Sequence, residues 1–391
     1  MIGEAHAQPL RVLHLIGGLQ LGGAETLLYR LATFKSDRAT HEVICLGKRD
    51  WYSEPLERAG VEVHHLGMDS PVSGLWQLPK LLRLVRASGV HVIQSWMYVS
   101  NALAGILGCM SGIPVVWGIH ASSFDYMGSA SRLSAHASGR ASRWLAHHVV
   151  NCSSRSAEFH ARFGYAAAPN SVIHNGYDPE EFYPDEAARR ATREAMGIAE
   201  GMFVIGTVAR WHAQKDIPNL LAALHLLRGR GAPIRCLLIG RGLDETNTEL
   251  RAAIRSADCG GIVIALGARA DTPDLARAMN LHVLASSGGE AFPNVVAETM
   301  LSGTPNVVTD VGDSALMASA TGWVVPPGDP NALAGAIEQA FGEWQHQPDA
   351  WAQRRAAARR SIADRFAFER MVRAYEEIWE SVRTAMKFEG P

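Results

Sequence analysis

The chain of 391 residues has only five cysteines and no Cys-x-x-Cys pair. Cys45, Cys109, Cys152, Cys236 and Cys259 are scattered, four of them in or near apolar runs. That pattern argues against a disulfide framework or thiolate zinc site and reads as reduced, buried thiols. No sign of charge dominates: 37 Lys and Arg face 39 Asp and Glu, a net charge of −2, so no nucleic-acid partner is expected. The sixteen histidines form no His-x-x-x-His or Cys/His ligand spacing. His147 and His148, before an apolar run, read as structural. The opening MIGEAHAQPLR has no apolar core, so a signal peptide is not expected and a cytoplasmic location is. Residues 92–119 lack Asp, Glu, Lys and Arg, but Gln94, Ser95, Ser100, Asn101, Gly112 and Pro114 interrupt them. They read as strand, helix and strand of a buried parallel sheet, not as a membrane span.

What is present is alternation. Apolar runs of four to seven residues interleave with helical patterns, which implies βαβ units and parallel sheets. The first half offers Arg11–Ile16, His41–Leu46, Val61–Leu66, His91–Ser95, Val115–Ile119 and His148–Asn151. The second offers Phe203–Ala209, Ile234–Gly240, Ile262–Leu266, Leu281–Ala285, Asn306–Thr309 and Trp323–Val325. Single cores stop growing near ~250–300 residues, so two domains are expected. The turn Asn175-Gly176-Tyr177-Asp178-Pro179, then Pro184 and a charged helix, marks the break. The expected domains are 1–176 and 177–364. From about Arg365, Phe366, Phe368, Met371, Val372, Tyr375, Ile378 and Trp379 recur at helical spacing as a final amphipathic helix, 365–391.

Four motifs stand at the ends of expected strands. Gly17-Gly18-Leu19-Gln20-Leu21-Gly22-Gly23-Ala24-Glu25 is a glycine-rich turn into a helix, suited to an anion or simply to a tight turn. Its spacing departs from Gly-x-Gly-x-x-Gly, and no acidic residue clearly ends the second strand, which counts against an NAD-type dehydrogenase. Arg210-Trp211-His212-Ala213-Gln214-Lys215-Asp216 places two cations beyond a strand, able to clamp a diphosphate or equally to be solvated charges. In Ser286-Ser287-Gly288-Gly289-Glu290-Ala291-Phe292-Pro293-Asn294-Val295-Val296-Ala297-Glu298, Pro293 suits the first helical turn. Amide N–H groups around Phe292, Asn294 and Val295 then suit an anion or a sugar hydroxyl. Glu290 and Glu298 offer acceptors for a polyol. His120 ends the strand Trp117-Gly118-Ile119, where ligands bind in open α/β sheets, although a lone histidine there is commonly structural. Asp310 and Asp313 of TDVGD read as a turn, and no Asp-x-Asp stands at a strand end to carry a divalent cation.

These motifs resemble the retaining GT-B glycosyltransferases of family 4. The likeness rests on GGLQLGGAE, WGIH, VIHNGYD, IGTVARWHAQKD, LLIGRG, EAFPNVVAE, SGTPNVVTDVGD and GWVVPPGDP, in order along nearly the whole chain. It implies two Rossmann-like domains facing each other across a cleft, with the last helix crossing back to the first. The first domain would take the acceptor and the second a UDP- or GDP-sugar. Arg210 and Lys215 would hold the diphosphate, and Gly240 of LLIGRG would line the donor site. Glu290 would contact sugar hydroxyls with amides from Ala291, Phe292, Asn294 and Val295. Glu298 would bind the ribose, His120 the donor sugar near the reacting carbon, and Gly22 and Gly23 would line the cleft. The implied reaction is retaining transfer of a hexose-type sugar to a glycan, lipid-linked or small-molecule acceptor in polysaccharide or glycoconjugate synthesis. It would need no cofactor and no metal.

Trp211 and His212 fill a stretch more often small or aliphatic in such proteins, and Ala121–Arg143, the expected acceptor segment, matches nothing interpretable. A nucleotide-sugar epimerase and a non-catalytic nucleotide-sugar binding protein are the alternatives. Leu75–Arg86 is basic and apolar, reading as an ordinary core-facing helix first and as contact with the inner membrane second. The run Arg354, Arg355, Arg359, Arg360 reads as a solvated helix face.

Overall fold

The computed structural model describes residues 8–68, 73–125, 128–229 and 233–388. The first seven residues of the opening segment, two residues of the expected acceptor segment (126 and 127) and the side chains of Leu75 and Trp76 lie outside that description.

The chain divides into two compact units, residues up to Asn175 together with those from Glu369 onward, and Gly176–Phe368. In the first, β1 (Leu10–Ile16), β2 (Ala39–Cys45), β3 (Glu62–His65), β4 (Val92–Trp96), β5 (Val115–Ile119), β6 (His148–Asn151) and β7 (Asn170–Val172) form one parallel sheet. Its order is β3-β2-β1-β4-β5-β6-β7. In the second, β8 (Phe203–Val208), β9 (Ile234–Ile239), β10 (Val263–Gly267), β11 (Leu281–Leu284), β12 (Asn306–Thr309) and β13 (Trp323–Val325) form another, in the order β10-β9-β8-β11-β12-β13. It too is parallel throughout.

The central strands are buried on both faces, as parallel sheets require. Every residue of β4 and β5 is buried, polar Gln94 and Ser95 included. Ser95 donates to Asn101 Oδ1 at 2.8 Å, so the buried hydroxyl stays satisfied. β7 has no counterpart among the expected strands. It is a three-residue edge strand with an exposed–intermediate–exposed pattern, too short and polar to signal itself.

Between β4 and β5 runs the helix Tyr98–Ser111. The charged helix after the break is Glu186–Ala195, capped by Asp185 Oδ1, which accepts from Ala187 and Ala188 N. The final helix, Phe368–Phe388, buries Phe368, Met371, Val372, Tyr375, Trp379 and Val382 as one stripe. Phe366 instead caps the preceding helix, Pro348–Arg365. In the helix Ser73–Ser88, Leu81 and Val85 are fully buried while Lys80, Arg83 and Arg86 are exposed. That is the core-facing arrangement. Among the described residues no helix is long and apolar enough to cross a membrane. Arg359 is more than a solvated charge, donating to the Phe182, Leu301 and Pro179 carbonyls at 2.7–3.0 Å. Cys45, Cys152, Cys236 and Cys259 are buried free thiols, and Cys109 is exposed. His147 Nδ1 accepts from Val115 N at 3.1 Å and His148 bonds Ser171, both structural roles.

Candidate active site

In open α/β sheets, ligands bind beyond the strands' carboxyl ends where the strand order reverses. In the second unit that point lies between β8 and β11, in the first between β1 and β4. The loops after these strands and after β5 carry most of the expected site residues; Gly240 follows β9.

Ala209-Arg210-Trp211 leaves β8. Ala209 N donates to Ile239 O at 2.8 Å and Trp211 N to Arg241 O at 2.8 Å, so this segment runs against the end of β9. Gly240 sits there with φ 130°, and a Cβ on it would collide with the Ala209 carbonyl. Glycine is demanded by that close approach. Arg210 is exposed at the turn. The short helix Ala213–Lys215 follows, with His212 Nδ1 accepting from Gln214 N at 3.3 Å. It presents Lys215, whose side chain is 17% exposed.

The loop after β11 comes to the same place. Ser287 N donates to Gln214 O at 2.9 Å, tying the two loops together. Lys215 Nζ makes a close ion pair with Glu290 Oε1, and Ser286 Oγ donates to that same oxygen at 2.7 Å. Glu290 is 6% exposed, and a carboxylate so buried requires such partners. The loop is also held from β12: Thr309 Oγ1 donates to Ser286 O at 2.7 Å and Asp313 N to Ala291 O at 2.9 Å. Gly312, φ 54°, lies so close to the Glu290 carbonyl that a Cβ would not fit. Asp310 and Asp313 therefore belong to a turn that buttresses the loop.

The helix Asn294–Leu301 starts one residue later than Pro293 suggested. Pro293 has ψ 106°, an extended value, and serves as the cap. Ala291 and Phe292 are buried beneath this entry, Phe292 edge-on to Phe366 at 5.1 Å. Tyr177 donates its hydroxyl to Asn294 Oδ1 at 2.8 Å. Asn294 and Val295 are half-buried in the first turn, and Glu298, also half-buried, is one turn further along. The second unit thus brings Lys215 and Glu290 into contact, puts Arg210 on the same loop as Lys215, and seats Gly240 beneath that loop. Ser286, Tyr177 and Gly312 stood inside quoted motifs, but their bracing roles are visible only in three dimensions.

In the first unit Gly22 caps the helix Gly23–Thr33, and its carbonyl accepts from Thr26 Oγ1 at 2.7 Å. A Cβ on Gly22 would strike the Glu25 carboxylate, whereas Gly23 has open space. His120 follows β5 and is half-buried. Both its ring nitrogens are shut off from solvent and, among the described residues, lack a hydrogen-bond partner. Burial lowers its pKa to about 4, so the ring is neutral. It stacks on Trp96, centroids 5.1 Å apart, and its amide donates to Met97 Sδ at 3.3 Å. Met97 has φ 69°, a strained value for a side-chain-bearing residue, at the switch point itself. Trp96 and Met97 gave no sign of this in the sequence, where they stand near the start of the uncharged run 92–119.

Two parallel-sheet α/β units, seen together with the solved structures they are similar to, place the chain in the GT-B fold of glycosyltransferases. Anabaena HepE, solved with UDP and glucose, matches 95% of this chain with all of its own, at TM-score 0.83 and 22% identity. A sucrose-phosphate synthase from Thermosynechococcus elongatus matches with TM-score 0.78, 18% identity and coverage of 96% and 100%. Residues 21–181 match the family described as Glycosyltransferase Family 4, and residues 202–343 that described as Glycosyl transferases group 1. Putative glycosyltransferase EpsF of Bacillus subtilis is 28% identical over 323 residues, 77% of this chain and 79% of that one. D-inositol 3-phosphate glycosyltransferase of Jonesia denitrificans is 31% identical over 252 residues, 61% of this chain and 57% of that one. The chain belongs to the family 4, group 1 glycosyltransferases and is an enzyme of that kind.

Proposed function

We propose that the enzyme transfers a hexose-type sugar from a nucleoside diphosphate sugar to a glycan, lipid-linked or small-molecule acceptor, in polysaccharide or glycoconjugate synthesis. The second unit holds the donor and the first the acceptor. The observation that carries this reading is the Lys215–Glu290 pair beside Arg210, on loops of adjacent strands at a switch point. As the glycosidic bond breaks, charge grows on the leaving β-phosphate. Arg210 offers it a planar fork and Lys215 a point charge. Lys215 can turn from Glu290 toward the incoming diphosphate, which leaves the Glu290 carboxylate to accept from sugar hydroxyls. Amides at Ala291, Phe292, Asn294 and Val295 face the same ligand, and Glu298 takes the ribose. His120 contacts the donor sugar, and Gly22 and Gly23 line the approach for phosphate and acceptor.

With these cations carrying the charge, the reaction needs no metal, and transfer proceeds with retention, the leaving phosphate receiving the acceptor's proton. UDP is the favoured nucleotide because HepE, the similar structure, was solved with UDP and with UDP-glucose. Thermal shifts with UDP, GDP and their sugars test this, since a ligand bound only by the folded state raises Tm by mass action. A Tm unmoved by every nucleotide would refute the donor site. Undiminished turnover in EDTA is expected, and nuclear magnetic resonance of the fresh product reads the anomeric configuration. Sugar conversion without acceptor would instead indicate an epimerase. Peripheral contact at the cytoplasmic face of the inner membrane would rest on exposed Lys80, Arg83 and Arg86. Failure to float with anionic liposomes removes it.

A further inference from the structure

Among the described residues His120 has no hydrogen bond to fix its ring, so its orientation must be set by another contact. The stack on Trp96 is the contact that can do so. Trp96 is itself tethered: its indole N–H donates to His14 Nδ1 at 3.2 Å. His14 is fully buried on β1, and its other nitrogen lies 2.9 Å from His41 Nδ1 on β2. The donor in the first bond settles the rest. His14 Nδ1 must offer a lone pair, so a neutral His14 carries its proton on Nε2 and donates it to His41 Nδ1. Burial disfavours charge on both rings. The final helix closes this line from one side. Trp379 stands edge-on to His14 and His41 at 6.0 and 5.7 Å, anchored by its N–H to Gln94 Oε1 at 3.0 Å.

We infer that His14 and Trp96 are positioning residues for His120, the line His41–His14–Trp96 holding the indole face on which the neutral imidazole rests. This deepens the reading above and rests on His120 meeting substrate there. An imidazole with no hydrogen bond among the described residues is useful in that place, because its N–H and its lone pair are both uncommitted once a sugar displaces what covers them, while the stack restrains the ring. A ring displaced by about an ångström loses that alignment, which can cost up to ~100-fold in rate.

The test uses the whole protein with labelled histidine, the His120 ring signals being assigned by their loss in His120→Gln. In His14→Ala the indole is released, so the His120 ring-proton shifts move. Turnover falls about tenfold while donor KM changes less than about twofold. In His14→Gln the carboxamide oxygen can again accept from the indole N–H, and most of the turnover returns. Unmoved His120 signals in His14→Ala, or equal turnover in the Ala and Gln variants, overturn the inference. Should His14→Ala fail to fold, Trp96→Phe keeps an aromatic face but loses the N–H together with part of the ring, and the His120 ring-proton shifts and the kcat-against-KM split are read the same way. Normal turnover in His120→Gln beside an inactive Lys215→Ala overturns the positioning role and leaves the transferase reading standing. Absence of transfer and of any nucleotide-induced Tm shift in the wild type refutes that reading instead, and the His120 signals still report whether His14 holds the ring.

Discussion

The paired loops that carry Lys215 and Glu290 and the loop that carries His120 occupy like positions, past strand ends in parallel sheets, yet they are built from opposite materials. The second unit uses charge. A lysine and a glutamate, both mostly buried, pair with each other, and Ser286 donates to the same carboxylate oxygen. The first unit uses neutral rings, with His120 stacked on Trp96 and Trp96 tethered to His14. A buried ion pair is ready to be divided by an anion, whereas a stacked neutral ring is ready to lend hydrogen bonds. The difference teaches that like positions in two parallel sheets can be stabilised by opposite means, an ion pair in one unit and a tethered aromatic stack in the other.

The comparison can be broken most forcefully at Lys215. Lys215→Ala removes charge stabilisation of the leaving group and takes away the cation paired with Glu290, and we expect turnover to fall about 10²–10³-fold without global unfolding. Normal turnover in a folded variant would remove the charged half of the contrast. Glu298→Ala comes next. Loss of a charged acceptor for ribose hydroxyls is expected to weaken donor binding by about 1.5–3 kcal/mol, measured by titration with the nucleotide sugar. Unchanged affinity places the ribose elsewhere.

Acid sharpens the comparison. Burial holds His41, His120 and His160 in the first unit at a pKa of about 4, and His14 is lowered too, whereas the second unit has His282 at about 4. These folded values lie below the unfolded value near 6.5. Above about 6.5 the groups are neutral in both states and cost nothing. Between about 6.5 and 4 the unfolded chain binds more protons, so stability falls as pH falls. The first unit should lose stability faster than the second from pH 7 to 5, which hydrogen exchange resolved by unit can measure. Equal losses would mean that the neutral rings are not what distinguishes it. The smallest effect is expected from Tyr177→Phe, which removes the hydroxyl bond to Asn294 and should cost about 1 kcal/mol in urea unfolding.

Much of the architecture was legible because parallel strands buried on both faces write themselves as apolar runs. Val115–Ile119 and His148–Asn151 stand where the runs placed them. β7 was not legible, since Asn170-Ser171-Val172 lies at an edge and needs no apolar face. The start of the helix at Asn294 was misread by one position because Pro293 satisfies either a cap or a first turn. The candidate site's residues were legible as residue types and loop positions. Their connections were not. Lys215 and Glu290 are 75 residues apart, and no local pattern reveals that they meet or that Ser286 joins them. Likewise His14 on β1 and Trp96 on β4 become neighbours only through the strand order.

The placement of the last helix with the first unit has a consequence for biosynthesis. Its Trp379 covers His14 and His41, but nearly two hundred residues of the second unit are made in between. At ~5–20 residues per second, the ribosome leaves the first sheet without that cover for roughly 10–40 s. The second unit is an uninterrupted stretch and can finish folding while the first still waits.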